Sequence, residues 1–407
     1  MVIQLPGIFD EKRLLISWMI YSSLDCIEYI LHGLCDFLQF YWLGKCIFLV
    51  WFLQSGSSSS SSSTEITPES ETTDLVNEEL TVVRQSATQD GPKRIQLNVP
   101  PRSAILSRNT EWRQSAVTVA GGNSNGNDLN QLWLPSSVFV DDNENIFVAD
   151  SANDRIVEWK AGAKEGRIVA GGDDPLQETS TLNAPLDVIV DKKTNSLIIC
   201  DTTRRRVIRW RRGADTEDET ITTDIDCNGL TMDENGSIYV TDNERNEVMR
   251  YDIGDSKGTI VAGGNGKGDG LNQLSGAYCV FVDQNYSIYV SDEDNHRVMK
   301  WADGATEGVV VAGGQREGDS LSQLKDPRGV IVDQLGTVYV ADYGNARVMR
   351  WFKDATQGDI IAGGNGQGDA ANQLAWPNGL AFDSQGNLYV VDAGNSRVQK
   401  FDIVENY

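Results

Sequence analysis

The 407-residue chain carries 59 acidic and 35 basic residues, a net charge of −24. Residues 107–407 alone hold 47 acidic and 28 basic side chains, a net −19, and a domain of that sign repels phosphate backbones, which argues against nucleic-acid partners. His32 and His296 are the only histidines, so a zinc site built from three imidazoles is excluded.

The first hundred residues differ in kind from the rest. Residues 14–53 are dense in Leu, Ile, Phe, Trp and Tyr, interrupted by Asp25, Glu28, Asp36 and Lys45. The stretch Phe37–Leu53, seventeen residues with one charge, is the candidate membrane span, at the short limit of about 17–25 residues for crossing a bilayer. Lys45 near its centre costs about 2–3 kcal/mol on insertion, which the aromatic density offsets. Residues 1–53 are therefore read as an apolar helical segment and candidate membrane anchor. A signal peptide, a soluble amphipathic helical hairpin and a misassigned exon are the competing readings. Lys12 and Arg13 precede the apolar run and no basic residue follows it until Arg84. The positive-inside tendency then puts the N-terminus in the cytoplasm and the remainder outside. The run "SGSSSSSSST" and the Thr/Glu-rich stretch after it cannot form a core, so residues 54–110 read as a disordered stalk.

From residue 111 to the end the chain repeats itself. "VAGG" recurs at Val119, Val169, Val261 and Val311, with "IAGG" at Ile361. Six tetrads end in Asp, at Asp150, Asp201, Asp242, Asp292, Asp342 and Asp392, spaced 51, 41, 50, 50 and 50 residues apart. An aromatic residue closes each unit: Trp159, Trp210, Tyr251, Trp301, Trp351 and Phe401. Each unit holds four short alternating runs, such as "VFVD", "SIYV", "RVMKW" and "GVVVAGG", which is the period-two signal of strands. Links such as "ENGS" and "SQGN" supply the positive φ of tight hairpins. Six such units predict an all-β, six-bladed β-propeller. The last unit stops after three strands, and "SAVTVAGG" at 115–122 supplies the missing fourth, which removes the open edge.

The loop "VAGGNGKGDGLNQL" fails as a phosphate loop, because Gly268 stands where Ser or Thr must follow Gly-Lys. It reads as the turn from one blade's outer strand to the next blade's inner strand, with Leu271 and Leu274 packed under the rim. Asp269, Asp319 and Asp369 are its calcium candidates, since calcium seeks clustered oxygens.

The repeated "P-x-G-[VL]-x-x-D…G-x-[VL]-Y-V-x-D-x-x-N-x-R-V-x-[KR]-[WF]", clearest at 327–351 and 377–401, resembles the NHL-repeat propellers over Ser115 to Ile403. That resemblance implies the fold strongly and the function weakly, because one scaffold hosts many roles. Relatives that bind RNA use a basic upper face, which this charge balance opposes. Relatives that act as lyases hold zinc through histidines absent here. Calcium-dependent, lactonase-like relatives need Glu, Asn and Asp in the channel. Asp187, Asn228 and Asn378 provide part of that set, no channel position is Glu, and Arg328 opposes a cation.

Features shared by nearly every blade read as scaffolding: the tetrad Asp, the Asn three residues on and the Arg five residues on, with Glu247 breaking the Arg series. Function is sought where blades differ, at the start of the innermost strands. Ser136, Asp187, Asn228, Tyr278, Arg328 and Asn378 form the candidate ligand-binding ring at the channel mouth. The short, glycine-poor link before Cys227 predicts a notch in the upper rim. Cys200 reads as a small buried apolar residue, and Cys227 and Cys279 as neighbours whose pairing is left open. Asn235 and Asn285 head Asn-x-Ser glycosylation sequons. Together these features favour a monomeric, non-enzymatic propeller that binds a protein, peptide or glycan, without a cofactor. It is displayed outside the cell on a membrane-anchored stalk. The alternatives are a calcium-dependent hydrolase and a cytosolic or secreted interaction scaffold.

Overall fold

The computed structural model describes residues 106–172, 182–213, 218–255 and 257–404. The expected anchor, its span at 37–53 and most of the stalk lie outside them. Among the described residues no helix is long and apolar enough to cross a membrane.

Six four-stranded antiparallel sheets form the blades. The innermost strands are Pro135–Val140, Pro185–Asp191, Cys227–Met232, Ala277–Val282, Pro327–Val332 and Pro377–Phe382, which number blades one to six. The tetrads form second strands that are buried along their whole length, as in Ile288–Asp292. The outermost strands, such as Val309–Gly313, begin exposed and end buried. Blade-closing Trp159, Trp301, Trp351 and Phe401 are fully buried between sheets, where each large ring supplies the apolar area that an isolated blade lacks.

The hairpin between the first and second strands is set by an aspartate. Asp283 Oδ1 accepts the N–H groups of Asn285 and Ser287 at 2.8 and 2.9 Å, a side-chain turn of the Asx kind. The Tyr of each "YVxD" tetrad reaches the same carboxylate: Tyr239, Tyr289, Tyr339 and Tyr389 donate to Asp233, Asp283, Asp333 and Asp383 at 3.0–3.3 Å. Glycine or Asn supplies the positive φ in blades two, three, five and six, but Glu144 (+60°) and Tyr286 (+57°) adopt it in blades one and four. There the Asp-centred bonds override side-chain preference.

The ring closes as the sequence predicts. Val117–Gly121 pairs antiparallel with Arg397–Phe401, in the register Val117 opposite Lys400 and Gly121 opposite Arg397. The segment before it is also engaged. Trp112 donates from Nε1 to the Gly386 carbonyl at 2.9 Å, stacks on Phe382 and meets Tyr339 edge-on. Leu106 is buried, and Gln334 donates to its carbonyl at 2.7 Å.

The cysteines depart from expectation. Cys200, on the second strand of blade two, forms a disulfide with Cys227, at the start of blade three, with Cα atoms 5.6 Å apart. That separation lies within the range a bridge requires. Cys279 is not its partner, and Cys200 is a cross-link rather than a filler. The bond joins the two blades between which the glycine loop is missing.

Three outcomes follow for stability. Deleting residues 115–121 should abolish the single cooperative urea transition, because blade six loses its outer strand. Trp112→Ala should cost about 3 kcal/mol in urea unfolding. Reduction of Cys200–Cys227 should lower stability by about 3 kcal/mol, seen as a drop in the urea midpoint with reductant.

Candidate functional site

One face, here the upper, carries the links from outer strand to next inner strand and those from second to third strand. The lower face carries the remaining hairpins. The repeated Asp, Asn and Arg build the upper face from beneath. Each tetrad Asp of blades one, two, four, five and six accepts a backbone N–H from the residue two or so before its inner strand, at 2.6–2.7 Å. Its other oxygen accepts Arg Nε at 2.6–2.7 Å, from Arg155, Arg206, Arg297, Arg347 and Arg397. Asn153, Asn295, Asn345 and Asn395 bind the same oxygen and reach back to the glycine loop at the carbonyls of Gly126, Gly268, Gly318 and Gly368. Arg347 also donates to the carbonyls of Asp319, Ser320 and Gln323. Burial pushes the Asp150, Asp292, Asp342 and Asp392 carboxyls upward, while these donors pull them down. In blade three, where Glu247 replaces Arg, Arg245 moves into the Asn position and bridges Asp242 and Asp224 at 2.7 and 2.6 Å.

The glycine loop is thus clasped scaffold. Its Leu274 is fully buried as expected, but Leu271 is 48% exposed and does not pack under the rim. Among the described residues no group of three His, Cys, Asp or Glu converges as a metal site. The groove of ≈ 560 Å³ between blades two and three is not the notch expected in the upper rim, because its lining includes Thr194, Gly236 and Ile253 of the lower-face hairpins. A groove of ≈ 520 Å³ also opens between blades three and four, beside a full-length loop, so loop length is not its cause.

Five of the six candidate residues, Ser136, Asp187, Asn228, Tyr278 and Asn378, line the channel together. The space they enclose is ≈ 20 Å³, room for about one water. The repeat's own glycine is the reason. A Cβ at Gly229 would lie 2.8 Å from Cys279 Cα, one at Gly379 would lie 2.7 Å from Ser137 Cα, and one at Gly329 would strike the Asn378 carbonyl. Neighbouring inner strands therefore touch backbone to backbone. Asp187 is held by the scaffold, its two oxygens accepting the N–H groups of Val188 and Leu230, each at 2.8 Å. Ser136 donates to the Leu186 carbonyl at 2.5 Å.

Arg328 leaves the channel ring altogether. Its guanidinium lies 3.6 Å from the Tyr343 ring centroid and 4.7 Å from that of Tyr278, and its Nε donates to Glu293 Oε1 at 2.9 Å. Trp376 stacks on Tyr343, with ring centroids 6.3 Å apart at an interplanar angle of 18°. Asn378 Nδ2 donates to Tyr278 Oη at 3.1 Å. Burial raises the Tyr278 phenol and the Glu293 carboxyl above their ordinary values, though Arg328 lowers both. Burial works against the Arg328 charge, yet Tyr278 and Glu293 beside it carry its pKa upward. Glu293, Tyr343 and Trp376 escape the sequence reading, because blade-to-blade difference was sought only on the inner strand. The residue after each tetrad Asp varies as much (Ser151, Thr202, Asn243, Glu293, Tyr343, Ala393) and was the available signal.

The sequon residues Asn235 and Asn285 are exposed in lower-face hairpins, and Asn235 donates to Tyr286 Oη at 2.9 Å. Trp112 and Leu106 also lie on the lower face, against Gly386.

Comparison with known proteins agrees with this architecture. The NHL repeat family matches residues 324–350 and 374–401, and the TB2/DP1, HVA22 family matches residues 2–62. No curated protein matches the chain. Among solved structures it is similar to a structural genomics protein of unknown function from Bacteroides thetaiotaomicron, with a TM-score of 0.56, 14% identity and coverage of 72% of this chain and 77% of that one. An auxiliary nutrient binding protein from the same organism has a TM-score of 0.54 and 16% identity, covering 75% of this chain and 76% of that one. One from Bacteroides ovatus has a TM-score of 0.52 and 14% identity, covering 75% and 76%. At such identities the likeness speaks to fold alone. The chain carries NHL repeats and forms a six-bladed β-propeller, and the match over 2–62 suggests membrane association for the N-terminal region.

Clasp and aromatic stack should separate under mutation. Asp342→Ala should cost about 3–5 kcal/mol in urea unfolding, because it strands a buried arginine. Tyr343→Ala, one residue on, should cost only about 1 kcal/mol.

Proposed function

We propose that this propeller of NHL repeats is a non-enzymatic binding module that engages its ligand across the upper face. The closed channel is the observation that carries the reading: a space of ≈ 20 Å³ admits no substrate, so recognition falls to the surface above it. The upper face concentrates what differs between blades, from Arg328 with Glu293 to the Tyr343–Trp376 pair. The lower face bears the incoming chain and both sequons. The nutrient-binding neighbours share the fold and are compatible with a binding role.

The module is tethered to a membrane with the propeller outside the cytosol. The apolar segment and the match over 2–62 support the tether. The Cys200–Cys227 disulfide supports the oxidising side, where such bonds persist, and the sequons fit the same compartment. A net −19 over residues 107–407 speaks against a nucleic-acid ligand.

Topology is the test. Membranes from eukaryotic cells expressing the full chain are treated with protease and with glycosidase. The expected result is a protected propeller whose mobility shifts on deglycosylation, and shifts less when Asn235 or Asn285 is replaced by Gln. A soluble, unglycosylated propeller in the cytosol would remove the tethered reading.

A further inference from the structure

The residue just before the inner strand adopts left-handed backbone in five blades: Leu134, Ala184, Gly276, Asp326 and Trp376, with φ between +46° and +75°. Gly276 accepts that conformation freely, whereas a bulky side chain is strained there. Ala184 and Gly276 show that the fold requires no bulk at this position. Trp376 nevertheless places an indole there, 42% exposed. It stacks on Tyr343, and Gly394, whose Cβ would lie 3.1 Å from the ring, lets it lie down. Strain combined with exposure points to a role in binding rather than in stability.

The surroundings narrow the ligand. The short helical turns Ser151–Asn153, Tyr343–Asn345 and Ala393–Asn395 of blades one, five and six carry no charge, while Glu293–Asn295 in blade four carries two. On neighbouring blade one, Trp133 and Leu134 are also exposed. The ledge is therefore aromatic, bordered on one side by the Glu293–Arg328 pair and on another by Lys325, which covers Gly344 and pairs with Glu317 at 2.7 Å. The Glu293–Arg328 pair is three-quarters or more buried. Its one hydrogen bond among the described residues runs from Nε to Oε1, which leaves Glu293 Oε2 as an acceptor and both Arg328 Nη groups as donors. An anionic ligand meets an acidic domain, and a cationic one finds Glu293 already bound to Arg328 and Glu317 to Lys325. A neutral ring with an apolar face and several hydroxyls satisfies both halves, since its C–H face lies on an aromatic plane and each hydroxyl both gives and accepts a hydrogen bond.

Building on the upper-face reading, we propose that Trp376 and Tyr343, with Arg328 and Glu293, form a subsite for a pyranose unit of a neutral saccharide. The indole takes the C–H face of the sugar, and the ion pair takes its hydroxyls.

The test uses the full chain in a sugar-free detergent, titrated calorimetrically with cellohexaose, chitohexaose, mannohexaose, xylohexaose and maltohexaose. At least one should bind saturably, with a Kd of about 1 mM or tighter. Trp376→Gly should weaken it at least tenfold while the melting temperature stays level or rises, because glycine relieves the left-handed strain. Glu293→Gln should weaken it as well. Binding by none of the five, or binding that survives Trp376→Gly, would overturn the saccharide subsite. So would a polypeptide that competes for the ledge where the sugars do not bind. If the propeller is luminal and no sugar binds, the ligand class alone fails. If it is cytosolic, the tethered reading fails whatever the sugars do.

Discussion

A blade of this propeller cannot bury its own two faces, so every blade depends on a ring without a gap. Val117–Gly121 lies hundreds of residues from its partner Arg397–Phe401, yet it is the outer strand of blade six. Trp112 secures the approach by packing against Phe382 and Tyr339. The pairing gives blade six the fourth strand that the other five blades have and covers the free edge of Arg397–Phe401. It also requires that the propeller's two ends come together late, since loop closure over that length is slow relative to local hairpins.

The clasp beneath the upper face solves a second problem, that of a long polar loop at five of the six blade junctions. A loop rich in glycine gains little from burial and loses much entropy on ordering. In blades one, four, five and six each buried Asp gathers a backbone N–H, an Asn amide and an Arg guanidinium, and through them holds the carbonyls of the loop, as Asp342 does. Blade three shows that the requirement is chemical and not positional: Arg245 takes over when Glu247 displaces the usual arginine. Gly229, Gly329 and Gly379 bring neighbouring inner backbones into contact around the channel at one level.

The repeat made the fold legible. Six Asp-terminated tetrads at near-constant spacing disclosed blades, strands and the closing strand, because propeller geometry imposes one structural period on the sequence. The candidate site was legible only in part. Inner-strand variation found the channel ring, but spacing carries no information on how closely strands approach, so the ring's small volume was not foreseen. Arg328 was assigned to the channel because its strand position points there; cation–π contact with Tyr343 and the bond to Glu293 draw it outward. The Cys200–Cys227 bond was missed for a similar reason, as pairing across blades depends on which side of a strand each sulfur occupies. Trp376 stood two residues before the positions compared, and its left-handed backbone is invisible in sequence.

The central claim is that recognition belongs to the upper face and that neither the channel nor the clasped glycine loops hold a functional ion. Melting curves of the full chain in chelator and in excess calcium test it most directly, since an ion bound to the folded state must raise the midpoint. Coincident midpoints are the predicted result. A calcium-dependent rise, lost on replacing Asp187 or the loop residues Asp269, Asp319 and Asp369, would contradict the account and return the chemistry to the channel or the loops.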